Sequence, residues 1–358
     1  MPTEDLAFGR NQTVGFAIEG TAGVYAPADF NQAWGTPTLK GIGFLEVAPT
    51  PHKEHILAPH MSGRPETTNM DFDEGIKNPT FRLKMKCPKE NLAWFFLGFF
   101  GKVVTSGASP QYTHAFTPSL SPGFPPSFKI EYRNPYSTYF HRLQFRGAKV
   151  KSILLELTME NVILTMEFTA ASCERSASIG TVPAILEPTA VRPFWRFSDL
   201  VNTVAGTYLS DIAESNKIIG FSSILLNFEN TFAEEIEDSF EGGSNERIRL
   251  ERAADAECIK LTATLKRLLK DESPYDRWEL LGSEAFLQIK LFSDGPTTDW
   301  SFLLRSMGKL LEPPSSEARG LGLIMETIIL QSIYHITMSQ GMSCEIKDSQ
   351  ATPATQGS

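Results

Sequence analysis

The stretch SILLELTMENVILTMEFTAA, residues 152–171, decides the fold class. Apolar and polar residues alternate along most of its length, which is the two-residue period of a β-strand with one buried face. The stretch is long enough for two strands, or for one long strand that carries a β-bulge. Either reading predicts a chain that is mainly β.

The same alternation recurs along the chain. In TFRLKMKC, residues 80–87, the side chains of Phe81, Leu83 and Met85 share one face, and the basic residues between them share the other. This is the pattern of a strand that is buried on one side. Further segments with this period are 127–133, 141–150, 222–230, 247–253, 258–268, 285–292 and 325–339.

Helix signals are few. The segment CPKENLAWFFLGFFG, residues 87–101, has Pro88 in its first turn, Gly101 at its end and apolar residues at helical spacing between them. The segment at 273–282 has a serine and a proline at its start and a glycine at its end, which also predicts a helix. A third helix is predicted at 199–212.

The order of predicted elements is similar in the two halves of the chain. The strand at 81–86 is followed by a helix that starts with proline, and so is the strand at 259–269. We interpret this order as two copies of one β-rich module. Late in each half come ILTM (163–166) with SCE (172–174), and HITM (335–338) with SCE (343–345). The predicted organisation is an N-terminal arm at 1–40, a first module at 41–177, a proline-containing linker at 178–198, a second module at 199–346 and a flexible tail at 347–358.

Residues 14–38 are rich in glycine yet contain large apolar side chains. So many glycines disfavour a helix, and the apolar residues disfavour a disordered tail. We expect an extended arm whose side chains, among them Ile18, Tyr25, Phe30 and Trp34, are buried against another surface.

The charge balance and the cysteines limit the possible partners. The formal net charge is −9, and such a protein lacks the excess of lysine and arginine with which proteins bind nucleic acid tightly. No run of about 18 apolar residues is present, so no membrane-spanning helix is predicted. The four cysteines lie far from one another in sequence, which argues against zinc and favours reduced, buried thiols, while a disulfide stays open.

Candidate catalytic or metal-binding groups are sparse. His52, His55 and His60 lie close together, but their spacing fits a polar loop better than a helical H-E-x-x-H site. The acidic segments 71–75 and 232–243 lack the residue order of a calcium loop. Neither a phosphate-binding glycine loop nor a nucleophile elbow is found. We therefore expect no enzymatic activity, no cofactor and no metal.

Taken together, these features resemble the major tail tube protein of long-tailed (siphovirus-type) bacteriophages in its two-domain form. In the start GFAIEGTAGVYAPADFNQAWGTPT, Glu19, Gly23 and Tyr25 match the pattern E-x-x-x-G-[TV]-[YP] that is common in this family. The segments VKSILLELTMEN (150–161) and IGFSSILLNFEN (219–230) look like the family's first-sheet strands. The resemblance covers nearly the whole chain.

The resemblance implies two tandem tail-tube modules, each a β-sandwich with a helix at its side, whose inner strands join those of neighbouring modules into a barrel around a channel. Three chains would form a pseudo-hexameric ring, and stacked rings would enclose the tape measure protein and later conduct viral DNA without sequence-specific binding. Tail-tip and tail terminator proteins would be further partners, with no membrane involved. The protein would be assembled in the host cytoplasm and reside in the virion tail.

The resemblance also gives roles to two groups of residues. The arm would lie across an adjacent subunit or ring and order only on assembly; its residues are Ile18, Glu19, Gly23, Tyr25, Phe30 and Trp34. Carboxylates that line a lumen repel phosphates, so DNA slides without binding. The candidates for the lumen or for a contact between rings are Asp71, Asp73, Glu74, Glu234, Glu235, Glu237 and Asp238.

Two alternatives remain open. A tail-tip or baseplate ring protein, or another virion β-sandwich protein such as a sheath or decoration protein, would share the fold and the duplication. A two-domain carbohydrate-binding protein or glycosidase accessory module would instead be a monomer with exposed aromatic side chains in a cleft, and an enzyme is a further alternative.

Overall fold

Strands make up almost all of the structure, which confirms the prediction of a mainly β fold. Within the described residues there is one helix, α1. The computed structural model describes residues 12–19, 40–51, 53–57, 72–77, 79–87, 92–108, 111–118, 125–134, 141–158, 161–176, 185–186, 196–197, 221–232, 259–268, 284–292, 301–319, 323–334 and 341–348.

The helix α1 spans Leu92–Phe100 and lies between the sixth and seventh strands. The strands are β1 (Thr13–Ile18), β2 (Lys40–Ile42), β3 (Glu46–Thr50), β4 (Lys53–Leu57), β5 (Phe72–Lys77), β6 (Thr80–Lys86), β7 (Val103–Ala108), β8 (Gln111–Phe116), β9 (Phe128–Asn134), β10 (His141–Thr158), β11 (Val162–Thr169), β12 (Ser172–Ser176), β13 (Ile185–Leu186), β14 (Arg196–Phe197), β15 (Phe221–Asn230), β16 (Ile259–Leu268), β17 (Glu284–Phe292), β18 (Ser301–Leu310), β19 (Ser315–Arg319), β20 (Leu323–Ser332) and β21 (Ser343–Asp348).

The first half is built around β10, a strand of 18 residues. Its first part pairs with β9 on one side and β12 on the other, and its second part pairs with β15 and β11. The change of neighbours occurs around Gly147, whose φ of 61° lies in the left-handed region that favours glycine. Residues 152–171 were predicted to form either two strands or one long strand with a bulge. The prediction of two strands is correct, because β10 and β11 pair as an antiparallel hairpin.

The strand pairings of the second half repeat those of the first. In the first half the antiparallel order is β3–β6–β11–β10, with β9 and β12 beside β10. In the second half it is β15–β16–β20–β18, with β17 and β21 beside β18. The counterpart of β10 is β18 and β19 together, because both pair with β20 and residues 311–314 interrupt them. We call this correspondence the pairing repeat.

The SCE triplets occupy corresponding places in the pairing repeat. Cys173 lies opposite Phe145, and Cys344 lies opposite Leu304. The neighbouring glutamates form corresponding ion pairs, Arg146–Glu174 at 3.0 Å and Arg305–Glu345 at 2.7 Å. The match of ILTM with HITM cannot be compared, because ILTM lies in β11 whereas HITM, residues 335–338, lies outside the described residues.

The two halves share one hydrogen-bonded sheet. β15 of the second half pairs with the second part of β10 from Ser223 to Glu229. The last described strand, β21, pairs with β8 of the first half. Lys347 and Asp348 therefore belong to a strand, although the prediction placed the start of a flexible tail at 347. The linker predicted at 178–198 contributes β13, which runs parallel to β2, and β14, which pairs with β17.

The helix α1 packs between the two halves, and all nine of its residues are buried. Phe95 contacts Phe16 of β1 at a ring-centroid distance of 5.7 Å, while Phe96 contacts Phe228 of β15 at 5.4 Å and Phe302 of β18 at 5.5 Å. The sequence predicted this helix within 87–101, with Gly101 at its end. Gly101 has a φ of 80° and its N–H donates to the Leu97 carbonyl at 2.8 Å, which is a glycine cap. The core is therefore common to both halves.

Three predicted elements cannot be compared with the structure. The helices predicted at 199–212 and 273–282 and the strand predicted at 247–253 lie outside the described residues. The other predicted strands are found, in the segments 80–86, 128–134, 141–158, 221–230, 259–268, 284–292 and 323–332. The strand predicted at 325–339 ends at Ser332, and residues 335–339 lie outside the described residues.

Candidate assembly interface

The pairing repeat fixes which residues of the two halves correspond. Val150 opposite Phe168 in the first half corresponds to Leu310 opposite Leu330 in the second, and all four side chains are buried. Counting along the ladders from this anchor places Phe81, Leu83 and Met85 on the buried residues Ala263, Leu265 and Arg267, whereas the buried Leu155 falls on the exposed Ser316. The correspondences used below are Val47 with Ile224, Pro49 with Leu226, Met85 with Arg267, Leu164 with Glu326, Leu155 with Ser316 and Leu157 with Ala318.

The joint between the halves, which we call the seam, is the antiparallel pair of β10 and β15. Ile224 lies opposite Leu157 and Leu226 lies opposite Leu155, and these four side chains are buried. Backbone pairing and apolar burial therefore coincide along the seam. Because β15 is the counterpart of β3, the seam joins the first strand in the pairing order of the second half to the last strand in the pairing order of the first half.

The counterparts of the two seam strands are β3, which corresponds to β15, and β19, which corresponds to the second part of β10. They lie at opposite ends of the shared sheet. Among the described strands, β3 has β6 as its neighbour and β19 has β20, each along one side. The residues Glu46, Ala48 and Thr50 of β3 and Ser315 and Ser316 of β19 are exposed. β3 also contains Pro49, which lacks a backbone donor and is found mainly on edge strands. Exposed edges of this kind can pair with another chain.

The shared sheet has an open face, which we define as the side of β6, β11, β10, β15, β16 and β20 turned away from the core. Oppositely charged residues face each other across its strands, as Arg82 and Glu167, and Lys260 and Glu229. Such cross-strand pairs stabilise a sheet modestly. Lys84 and Lys266 occupy corresponding positions in the pairing repeat. The uncharged polar members of this face are Ser152, Thr158, Thr165, Ser223, Asn227, Thr262, Thr264, Thr327 and Gln331.

A buried ion pair distinguishes the second half. The Arg267 Nε donates to Glu326 Oε2 at 2.7 Å, and the two residues are 2% and 3% exposed. Their counterparts in the first half, Met85 and Leu164, are apolar. Sequence patterns do not reveal this pair, because the two residues are 59 positions apart and each lies in an ordinary strand pattern.

A second buried charge cluster surrounds Glu131 on β9. Its carboxylate accepts hydrogen bonds from Arg133 and Gln144 and a two-point contact from Arg142 at 2.6 and 3.0 Å. Burial opposes ionisation of Glu131, but these hydrogen bonds outweigh it and lower its pKa to about 2. The cluster therefore holds a permanent carboxylate that ties β9 to β10.

Glu19, at the end of β1, is a buried carboxylate with the opposite behaviour. Burial raises its pKa to about 7, although the Ser127 hydroxyl donates to it at 2.6 Å and the Gly147 N–H donates at 3.1 Å. Its contacts fix β1 to the point where β10 changes neighbours. Glu19 was predicted to belong to an arm on another subunit, and the structure instead places it inside its own chain.

His114 links the first half to the last described strand. It is fully buried; Nδ1 lies 2.9 Å from the Thr105 Oγ1 and Nε2 lies 3.0 Å from the Asp348 Oδ1. A hydroxyl, an imidazole and a carboxylate also make up nucleophilic relays. Here the three groups join adjacent strands inside the sheet, so their role is to fasten β21 to the hairpin of β7 and β8.

The structure accounts for only part of the predicted site residues. For Ile18 and Glu19 it differs from the prediction of an arm, since β1 pairs with β9 and β2 of its own chain and Ile18 packs against its own core. Asp73 and Glu74 lie on β5, opposite Ile56 and His55 of β4. The other predicted residues lie outside the described residues: Gly23, Tyr25, Phe30, Trp34, Asp71, Glu234, Glu235, Glu237 and Asp238.

The described residues hold three free cysteines, Cys87, Cys173 and Cys344. Burial raises the pKa of the Cys87 and Cys173 thiols to about 12, so they are weak nucleophiles at neutral pH. Among the side chains that the structure describes, no cluster of histidine, cysteine or carboxylate residues could hold a metal ion. In the same part of the chain, no helix has the length and apolar character to cross a membrane.

Comparison with known proteins gives no family for the chain. No protein-family model matches it, and no curated protein sequence is significantly similar to it.

Proposed function

We propose that this chain is a structural protein that assembles head to tail with its own copies into rings, and that stacked rings form the tail tube of a long-tailed bacteriophage. The observation that carries the proposal is the seam. One half already joins the other by adding β15 to β10, and the corresponding strands β3 and β19 each have one described neighbour. The strands β3 and β19 of two copies could therefore pair in the way that β15 and β10 pair within one chain.

The proposed contact uses different surfaces on the two partners. Such a heterologous contact produces a closed ring when the rotation between copies closes, and an open filament when it does not. Each chain would supply two tandem tail-tube modules, so three chains would give a ring of six modules. The ring would pair the sides of β3 and β19 along which no described strand lies, and such strand edges can recruit other strands.

The open face would line the channel of such a ring, because the opposite side of the same strands is the apolar core. Its charges are of both signs and partly paired across strands, so it offers DNA neither a strong attraction nor a uniform repulsion. This differs from the carboxylate-lined wall that the acidic loops suggested. The tape measure protein and the DNA would contact a surface that carries serine and threonine and also apolar side chains, among them Leu154, Leu225 and Ile329.

The proposed assembly arm would begin after Glu19 and include Gly23, Tyr25, Phe30 and Trp34. The strand β1 and the Glu19 carboxylate would anchor it to its own subunit, while the following residues reach an adjacent subunit or ring. The segments that contain Asp71 and Glu234–Asp238 would provide contacts between rings or at the lumen.

The test is to image the purified full-length chain by negative-stain electron microscopy and to measure its mass by light scattering. We expect hollow tubes or rings, and a mass that rises with protein concentration. Rings that never stack would favour the alternative of a tail-tip or baseplate protein. A monomer at all concentrations, with and without added tail-tip proteins as nuclei, would contradict the proposal.

A further inference from the structure

We infer that β3 of one copy pairs antiparallel with β19 of the next, with Val47 opposite Ala318 and Glu46 opposite Arg319. This inference rests on the proposed function and specifies the contact by which the copies join. It names the two strands, their direction and their register.

The register is obtained from the seam. In the seam, Ile224 lies opposite Leu157 and Leu226 lies opposite Leu155. The counterparts of Ile224 and Leu226 are Val47 and Pro49, and the counterparts of Leu157 and Leu155 are Ala318 and Ser316. Transfer of the seam to the end of the chain therefore pairs Val47 with Ala318 and Pro49 with Ser316, and the neighbouring positions follow.

The residues at the transferred positions are chemically compatible. Glu46 faces Arg319 with opposite charge, Val47 faces Ala318, and Thr50 faces Ser315. Opposite charges and hydroxyl pairs directly across strands are favourable, and like charges are not. A shift of the strands by two positions would place Glu46 opposite Glu317, so the charge pattern discriminates against that register.

Pro49 makes the pairing weaker than the seam. It can accept a hydrogen bond through its carbonyl but cannot donate one, so the new ladder lacks one bond that the seam can make at Leu226. Also, β3 pairs over five residues with β6, whereas β15 pairs over seven with β10. A contact weaker than the seam allows single chains to fold first and join afterwards.

Several other strands, such as β12, also have one described neighbour, and the experiment separates β7 from β19. β7 also has one described neighbour, β8, and its Val104 is 60% exposed. The hairpin of β7 and β8 has no described counterpart in the second half, so the pairing repeat gives no reason for β3 to bind there.

The test is disulfide cross-linking between two single variants, Glu46→Cys and Arg319→Cys, mixed and oxidised under assembly conditions. Residues directly opposite across antiparallel strands lie within reach of a disulfide. We expect a covalent dimer from the mixture, and several-fold less dimer from either variant alone. A second in-register mixture, Thr50→Cys with Ser315→Cys, should also give the dimer, while Glu46→Cys with Glu317→Cys should give several-fold less.

Microscopy of the same samples separates the two proposals. Tubes or rings without the in-register cross-link, or with a stronger cross-link from Glu46→Cys to Val104→Cys, would overturn the inference and leave the proposed function standing. The absence of any assembly would count against both. All four native cysteines are present in every sample, including the unsubstituted chain that serves as the blank; Cys87 and Cys344 are buried, and Cys173 is partly exposed.

A charge exchange provides an independent readout. Glu46→Arg should lower the yield of assembled particles several-fold, and the double variant with Arg319→Glu should restore it. Glu174→Arg is the matched control, because Glu174 is also an exposed strand glutamate with one basic neighbour, and it should assemble normally. Equal assembly of Glu46→Arg and Glu174→Arg would overturn the inferred register.

Discussion

The two halves of the chain use the same strand pairings but fill them differently. At one position the first half has the apolar pair Met85 and Leu164, and the second half has the buried ion pair Arg267 and Glu326. β10 is continuous, whereas its counterpart is broken into β18 and β19. The same strand pairings therefore tolerate either an apolar pair or an ion pair in the interior. The fold requires the pairings, whereas the buried ion pair is particular to the second half.

The largest expected effect comes from breaking the ion pair. Arg267→Met should lower the free energy of unfolding by about 3–5 kcal/mol, because it leaves Glu326 buried without its partner. The double variant Arg267→Met with Glu326→Leu, which copies the first half, should recover most of that loss. Urea unfolding followed by tryptophan fluorescence measures both.

The stability of the double variant shows whether the second half needs the buried ion pair. Recovery would mean that the ion pair adds specificity at this site and is not needed for stability. A double variant as unstable as the single one would show that the second half cannot accept the packing of the first, and that the two halves differ in shape at this position.

The next effect concerns Glu19, which lies in the first half. Its folded pKa of about 7 is above the ordinary value of 4.5, so the folded chain binds this proton more tightly than the unfolded chain. The resulting stabilisation is complete below pH 4.5 and is lost as the pH rises through 7. The native protein should lose, relative to Glu19→Gln, on the order of 3 kcal/mol across this range.

Parallel unfolding curves of the native chain and Glu19→Gln at pH 4.5, 6 and 8 measure this difference. Glu131→Gln is a useful control, because the pKa of Glu131 is lowered to about 2 in the folded chain, so its contribution should grow slightly from pH 4.5 to 6, opposite in sign to that of Glu19, and stay constant from pH 6 to 8. A stability difference between the native chain and Glu19→Gln that stays constant with pH would contradict the assignment.

The smallest of the three effects tests the shared core. A Cβ at Gly98 of α1 would lie 2.3 Å from the Phe128 ring, so Gly98→Ala should cost about 1–3 kcal/mol despite the better helix propensity of alanine. The matched variant in the second half is Gly308→Ala, whose Cβ would lie 3.4 Å from its nearest atom, the Gln331 carbonyl oxygen. It should cost less, and equal losses in thermal melts would refute the packing argument.

Much of the fold follows from sequence periodicity. Strands with one buried face alternate visibly, as in TFRLKMKC, and α1 is marked by a proline, a run of apolar residues and a glycine. The SCE triplets also marked a true correspondence, since they carry ion pairs of the same kind in both halves. Local pattern is informative wherever the environment of a strand repeats every second residue.

The remainder depends on contacts between distant residues. Nothing local shows that Glu326 meets Arg267, or that His114 meets Asp348, because each partner pair is set by which strands become neighbours. The prediction assigned too many residues to the arm for a related reason. Its first residues, through Glu19, have the apolar content of a core strand and of a docking strand alike, and only the pairing with β9 distinguishes the two.

The pairing of β21 with β8 has a consequence for synthesis on the ribosome. His114 and Asp348 are 234 residues apart, so β8 cannot pair with β21 until the ribosome has synthesised the residues between them. At about 5–20 residues per second, that interval is on the order of 10 to 50 s. During this interval β8 lacks its pairing with β21, and we expect chaperones to protect the exposed strand edge.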